Sequence, residues 1–233
     1  MTDGSYAEYT RLPSTNVVAV NSALPWHELT AIPECYATAC ACLFGNLDLK
    51  RGQTLLIRGA TSALGQAALN IAAYAGARVV ATTRSPELLV KLESLGAETA
   101  LVDAHDLSRR VRDSHPAGID AVLDLVGNST LLDSLAMVGR HGRVCQAGFL
   151  GGLAPLESFN PLLQGRAACT SAFLAASCSE HLSFPCLRSL SSRLLIARRT
   201  VSTRQSRSGP LCSMRLGMLT GLWGRTRQMQ KLS

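Results

Sequence analysis

The chain has 233 residues, 47% of them hydrophobic, enough for one large or two small domains with a real core. No apolar run reaches the length of about 18 residues that a membrane span needs. The opening Met-Thr-Asp-Gly-Ser-Tyr lacks the basic and apolar regions of a signal peptide. The net charge of +7 hides a break at Gln164: 12 Lys/Arg against 15 Asp/Glu before it, a net of −3, and 11 Lys/Arg against the single acid Glu180 after it, a net of +10.

Residues 4–21 read as short strands around Pro13, with Tyr6 and Tyr9 as packing residues. Trp26 to Phe44 reads as helical, restarting at Pro33, and Thr38 within it as a helix-packing threonine. Cys35, Cys40 and Cys42 are spaced poorly for a zinc site, and no secretion signal supports disulfides. The eight cysteines are therefore expected to be free thiols, buried, in a reducing cytosol.

Gln53 to Gly76 organises the rest. Thr54-Leu55-Leu56-Ile57 reads as a buried strand. The turn Gly59-Ala60-Thr61-Ser62-Ala63-Leu64-Gly65 follows, and then an Ala-rich helix from Ala67 to Ala75. A strand, a glycine turn and a helix make a phosphate-binding start: the helix N-terminus presents N–H groups and a partial positive charge to the turn. Gly59 permits the sharp turn and Gly65 a close approach of helix to strand. Ala63 stands where a second glycine would bring the backbone against a diphosphate.

The alternation continues. Arg78 to Thr83 is a second strand, and Ser85-Pro86-Glu87 a helix start with Ser85 as its cap. That helix ends at Gly96, and Thr99 to Val102 makes a third strand. Asp106 to Ser114 is a short polar helix, and Asp120 to Val126 a fourth strand broken by Gly127-Asn128. Ser129 caps a helix to about Val138, and Gly142 to Ala147 is a fifth strand. The expected class is α/β, a Rossmann-type doubly wound parallel sheet with its ligand edge at the strand C-termini. No acid follows the second strand in Thr82-Thr83-Arg84-Ser85. An acid there would hold a ribose 2′-hydroxyl, whereas Arg84 offers a planar fork of donors suited to a 2′-phosphate. The expected cofactor is NADP (NADPH).

The segments GSYAEYT, PECYATA, LLIRGATSALGQAALNIA, LDLVGN and AGFLGG occur in that order. In that order they resemble the quinone oxidoreductase branch of the medium-chain, zinc-type alcohol dehydrogenase superfamily, over roughly residues 4–164. The resemblance implies NADPH held between a Rossmann domain and a GroES-like catalytic domain, and hydride transfer to a quinone or enone-type carbonyl substrate. It places Thr38 beside the nicotinamide, and Gly59, Ala60, Thr61, Ser62, Ala63, Leu64 and Gly65 around the pyrophosphate. Arg84 would meet the 2′-phosphate, with Thr83 and Ser85 beside it among the cofactor-binding residues. Val126, Gly127, Gly148, Phe149 and Leu150 would line the path from adenosine to nicotinamide. No zinc is implied in this branch, and no ligand cluster is visible. His27, Cys35 and Tyr36 read as structural, so no proton donor is assigned.

Two departures shape the expected domains. Most of the GroES-like domain would precede GSYAEYT, so residues 1–30 read as its remnant and 31–164 as the Rossmann domain. The resemblance stops near Gln164, and residues 165–233 read as a non-native or disordered basic tail. Ala168 to Phe173 can be encoded so that a one-base shift reads Gly-Val-His-Leu-Ser-Phe, similar to the family's sixth strand. Ser179 to Pro185 obeys the same shift, so the tail is read as frameshifted. The sixth strand serves the family's homodimer, and its loss would leave an exposed fifth-strand edge. Two other functions stay open: an NADPH-binding remnant without turnover, and an interaction protein using the basic tail. Neither nucleic acid nor membrane is expected as a partner, because the tail lacks interleaved aromatics.

Overall fold

The computed structural model describes Tyr9, residues 21–157, 159 and 160, and the backbone of a strand at 170–173. The strands expected around Pro13 and the tail beyond Phe173 lie outside the described residues. The chain divides into two units between Pro33 and Glu34. In the first unit Trp26–Leu29 forms a single turn of helix, α1, closed by the Thr30 hydroxyl donating to the Trp26 carbonyl at 2.9 Å. Tyr9, expected to pack, is 90% exposed.

The second unit holds the sheet. Helix α2 (Pro33–Cys40) runs into a π-helical turn at Ala41–Asn46, longer by two residues than the expected end at Phe44. Six parallel strands follow: β1 (Thr54–Arg58), β2 (Arg78–Thr83), β3 (Thr99–Val102), β4 (Ile119–Asp124), β5 (Val138–Gln146) and β6 (Thr170–Phe173). Their order is β3-β2-β1-β4-β5-β6, the doubly wound order in which chain direction across the sheet reverses between β1 and β4. Strand β6 is a correction. Five strands were expected, with β5 at the edge, but residues 170–173 of the supposedly structureless tail pair with β5, Arg143 opposite Thr170 through Gln146 opposite Phe173.

The helices between the strands are α3 (Ala63–Tyr74), α4 (Leu89–Ser94, after a 3₁₀ turn at Pro86–Leu88), α5 (Leu107–Ser114) and α6 (Asn128–Met137). Among the described residues no helix is long and apolar enough to cross a membrane. Leu56, Val122 and Val144 stand in register on β1, β4 and β5. They join Leu107 and Val111 of α5 and Leu131, Leu135 and Met137 of α6 in one buried cluster. Side chains two residues on share the same face. That face therefore ends in polar groups at the ligand edge: Arg58, Asp124 and Gln146, again in register. Arg112 fastens α5 to the end of α6, its guanidinium donating to the carbonyls of Ala136 at 3.0 Å and Val138 at 2.8 Å.

Several boundaries moved for local reasons. Ser85 makes no side-chain capping bond; its N–H instead donates to the Thr83 hydroxyl at 3.2 Å. Helix α6 is capped by Gly127, not Ser129, because Gly127 has φ of +108°. Strand β5 starts four residues early, and its pairing with β4 is irregular between Ile119 and Ala121. There Gly118 and Gly139 cross so closely that a Cβ on Gly118 would lie 2.4 Å from the Gly139 nitrogen. Cys35, Cys40, Cys42 and Cys145 form no disulfide, and all but Cys35 are buried.

Because Leu56 is fully buried and Val90 is 75% exposed, their truncations should differ sharply. Leu56→Ala is expected to lower unfolding free energy by about 2–5 kcal/mol in urea titrations, and Val90→Ala by no more than about 0.5 kcal/mol.

Candidate functional site

Three turns converge where the sheet order reverses. The first joins β1 to α3. Gly59 takes φ of +73°, and the Ala60 N–H donates to the Thr82 carbonyl at 3.1 Å, tying this turn to β2. Helix α3 begins at Ala63, four residues before the expected Ala67, because Ser62 caps it: its hydroxyl accepts from the Gly65 N–H at 3.0 Å. The Gln66 side chain donates to the Thr61 carbonyl at 2.7 Å and holds the middle of the turn. Gly65 is obligatory by contact. A Cβ there would lie 2.5 Å from the Gly59 oxygen and 2.7 Å from the Ala60 Cα. Ala63 is exposed and Leu64 half-buried in the first turn of α3. The amides of that turn point out of the helix and suit an anion.

The second turn, Val126-Gly127, is set by a carboxylate. Asp124 is fully buried. Its Oδ1 accepts from the N–H groups of Val126 at 2.9 Å and Gly127 at 3.0 Å, and its Oδ2 from the Ser134 hydroxyl at 2.6 Å. The third turn packs on the second. The Leu150 N–H donates to the Leu125 carbonyl at 3.2 Å and the Gly151 N–H to Val126 at 2.8 Å. Leu150 Cδ1 comes within 3.1 Å of where a Gly59 side chain would begin, so residues 148–150 reach the 59–65 turn itself. Phe149 and Leu150 are nevertheless 61% and 63% exposed. At the end of β5 the Gln146 amide donates to Asn128 Oδ1 at 3.0 Å, and Asn128 donates to the Ala154 carbonyl at 2.9 Å. This relay fixes which end of Gln146 is oxygen and leaves Gln146 Oε1 a buried acceptor with no partner among the described residues.

Thr83, Arg84 and Ser85 follow β2. Thr83 is buried, Ser85 half-buried, and Arg84 exposed at the sheet's ligand edge. Thr38 is half-buried on α2, its hydroxyl reaching Glu34 at 3.5 Å. Tyr36 and Cys35 are half-buried on the same helix. Burial pushes the Tyr36 hydroxyl up. The Cys35 thiol is pushed up to about 11 by burial, then by its hydrogen bond to Glu34 and that group's charge. His27 is exposed in the other unit, 3.9 Å from Glu28. A cavity of about 130 Å³ bordered by Asn128, Gly151, Pro155 and Glu157 is too small for a dinucleotide.

The reading of the sequence missed the groups under these turns. Arg58, the last residue of β1, is 2% exposed. Its Nε and Nη2 grip Asp103 at 3.1 and 2.5 Å, and its Nη1 reaches Asp133 at 2.9 Å and the Thr130 carbonyl at 3.2 Å. Burial draws its pKa down, and the hydrogen bonds and charges of Asp103, with the charges of Asp124 and Asp133, more than reverse this, so it is held above the ordinary value. A charge ending an apolar strand opposite an acid ending the next one was the available signal.

Two outcomes test this geometry. Gly65→Ala is expected to destabilise the fold by about 1–3 kcal/mol and to displace the turn, read as a lowered Tm and a lowered urea midpoint. At pH 8 only about a thousandth of Cys35 should be thiolate, so iodoacetamide, followed by mass spectrometry, should label it far more slowly than a free cysteine. Labelling should accelerate in Glu34→Gln.

A family model described as zinc-binding dehydrogenase matches residues 63–188, more than half of the chain and some way past Gln164, where the resemblance was expected to stop. Among the described residues no group of three or more His, Cys, Asp or Glu side chains is arranged to hold a metal ion. The quinone oxidoreductase-like protein 2 homolog of Nematostella vectensis is 30% identical over 166 residues, 69% of this chain and 44% of that protein. The chain thus spans less than half the length of this curated relative. Of solved structures, an NAD-dependent alcohol dehydrogenase is 27% identical, with 82% of this chain and 55% of the other covered at a TM-score of 0.66. The quinone oxidoreductase of Thermus thermophilus, solved also in complex with NADPH, shares the fold at 24% identity and a TM-score of 0.63, covering 81% of this chain and 59% of the other. With its sheet order, its capped phosphate turn and this match, the chain belongs to the zinc-binding dehydrogenase family, in the quinone oxidoreductase-like branch of the medium-chain dehydrogenase/reductase superfamily.

Proposed function

We propose that the chain binds NADPH along the C-terminal edge of its sheet and serves an oxidoreductase that reduces a quinone or enone-type carbonyl compound. The observation that carries this is the meeting of the 59–65, 126–127 and 148–150 turns at the β1/β4 reversal, with exposed Arg84 one strand away. One solved relative was crystallised with NADPH and another is NAD-dependent, so the choice rests on Arg84.

The bound nicotinamide would supply the hydride. The chain's own residues do the rest. The α3 amides, aimed by the Ser62 cap, hold the diphosphate without a charged side chain. Arg84 pairs with the 2′-phosphate through parallel N–H donors. Val126, Phe149 and Leu150 keep water from the path between the two nucleosides. Gln146 Oε1, a buried acceptor lacking a partner among the described residues, suits an N–H₂ donor of the ligand. Thr38 stands on α2 as the resemblance requires of a residue flanking the nicotinamide. The compartment that fits NADPH and free thiols is the cytoplasm. The family's homodimer would form through the outer strand of the sheet.

Titration of NADPH fluorescence tests the reading. Arg84→Ala should weaken NADPH binding by about tenfold or more and change NADH binding by less than about twofold. A folded protein that binds neither nucleotide would overturn it. NADPH oxidation with a quinone acceptor, measured separately, tells a working enzyme from a protein that only binds.

A further inference from the structure

The turn after β2 holds no acid, but the fold brings one to it. Asp103 is the first residue after β3, and its N–H donates to the Thr83 carbonyl at 2.8 Å. It therefore stands beside the residue that leads into Arg84. Its carboxylate reaches back across β2, accepting from the Thr82 hydroxyl at 3.2 Å and from Arg58 at 2.5 and 3.1 Å, and is 11% exposed. An acid at the end of the second strand is the device that favours a ribose 2′-hydroxyl and repels a 2′-phosphate, and β3 brings Asp103 next to that strand end. Here both its oxygens are engaged by one guanidinium.

We infer that Arg58 is a specificity-determining residue: by neutralising Asp103 it keeps the edge beside Arg84 open to a 2′-phosphate, and without it Asp103 would turn the site towards cofactors lacking that group. Arg58 touches neither ligand nor reacting atoms in this scheme; it acts through Asp103. The inference rests on the proposed nicotinamide dinucleotide reading, with the 2′-phosphate at Arg84.

A purely structural role for Arg58, compensating the buried carboxylates around it, predicts lost stability with an unchanged cofactor preference. Arg58 itself is not placed to meet a ligand, since it is 2% exposed and its donors are taken by Asp103, Asp133, the Thr130 carbonyl and Ser134.

The test is the ratio of dissociation constants for NADH and NADPH, read by nucleotide fluorescence, with circular dichroism to confirm folding. Wild type must first bind NADPH; if it binds neither nucleotide, the parent reading has failed rather than this one. Arg58→Met is expected to lower the preference for NADPH by about tenfold or more, by freeing one negative charge near the 2′-phosphate. Arg58→Met combined with Asp103→Asn removes both charges and should restore the ratio to within about threefold of wild type. If Arg58→Met does not fold, Arg58→Gln, which keeps a donor towards Asp103 without the charge, carries the same expectation. Asp103→Asn alone keeps Arg58 paired with Asp133 and should not lower the preference. A preference unchanged in the folded single variant, or unrestored in the double variant, overturns the inference. So does a gain of more than about tenfold in Asp103→Asn, which would mean that Asp103 already repels the phosphate in the wild type.

Discussion

The structure depends on one guanidinium buried at the end of the central strand. Arg58 closes β1 immediately before the phosphate turn, opposite Asp124, which closes β4 immediately before the second turn. Taking three carboxylates and one guanidinium out of water is costly, and attraction alone seldom repays it. Hydrogen bonds complete the balance. Asp124 receives two backbone N–H groups and the hydroxyls of Thr130 and Ser134. Asp133 adds the N–H of Ser108 on the neighbouring helix, at 3.2 Å. The cluster thus ties the end of β1 to the residue after β3, to α6 and to the start of α5. Apolar residues in the same places would pack, but would leave the Val126 and Gly127 amides without their acceptor.

The glycine contacts belong to the same design. Gly65 lets α3 lie against the turn it caps, and Gly148 lets the third turn pass over β4, where a Cβ would come 2.4 Å from the Leu125 oxygen. With backbone this close, the three turns form a single surface. The Ser62 hydroxyl takes the Gly65 amide of α3, and the Asp124 carboxylate takes those of Val126 and Gly127, so the two turns are held in different ways.

Much of this was legible in the sequence where a decision is local. Strands β2 and β3 run where the sequence puts them, each after a glycine, Gly76 or Gly96, whose positive φ ends the preceding helix. Boundaries set by distant partners were not legible. The strand ended in expectation at Ile57 because an arginine looks like a surface residue, and its burial depends on acids at 103, 124 and 133. The cap of α6 was misplaced by two residues because a hydroxyl outranks glycine in propensity, while the carboxylate of Asp124 decides the turn in fact. Strand β6 was missed because residues 165–233 were read as frameshifted, with a sixth strand at 168–173 only in the shifted frame, whereas Thr170–Phe173 as it stands completes the edge beside β5.

Cofactor choice exposes the same limit in its sharpest form. Reading along the chain, the question is whether an acid follows β2, and Thr83-Arg84-Ser85 answers that it does not. Reading across the sheet, an acid is there after all, delivered by β3 and hydrogen-bonded to the carbonyl next to Arg84. On the inferred reading, the charge a ligand would feel is not that of the turn alone: Arg84, Asp103 and the Arg58 guanidinium, two strands from Asp103, all contribute, and Asp133 shares that guanidinium. A site's electrostatics are therefore a property of strand order. The same turn placed beside a β1 ending in an apolar residue would present a phosphate with one arginine and one unshielded carboxylate, and would have little reason to prefer it.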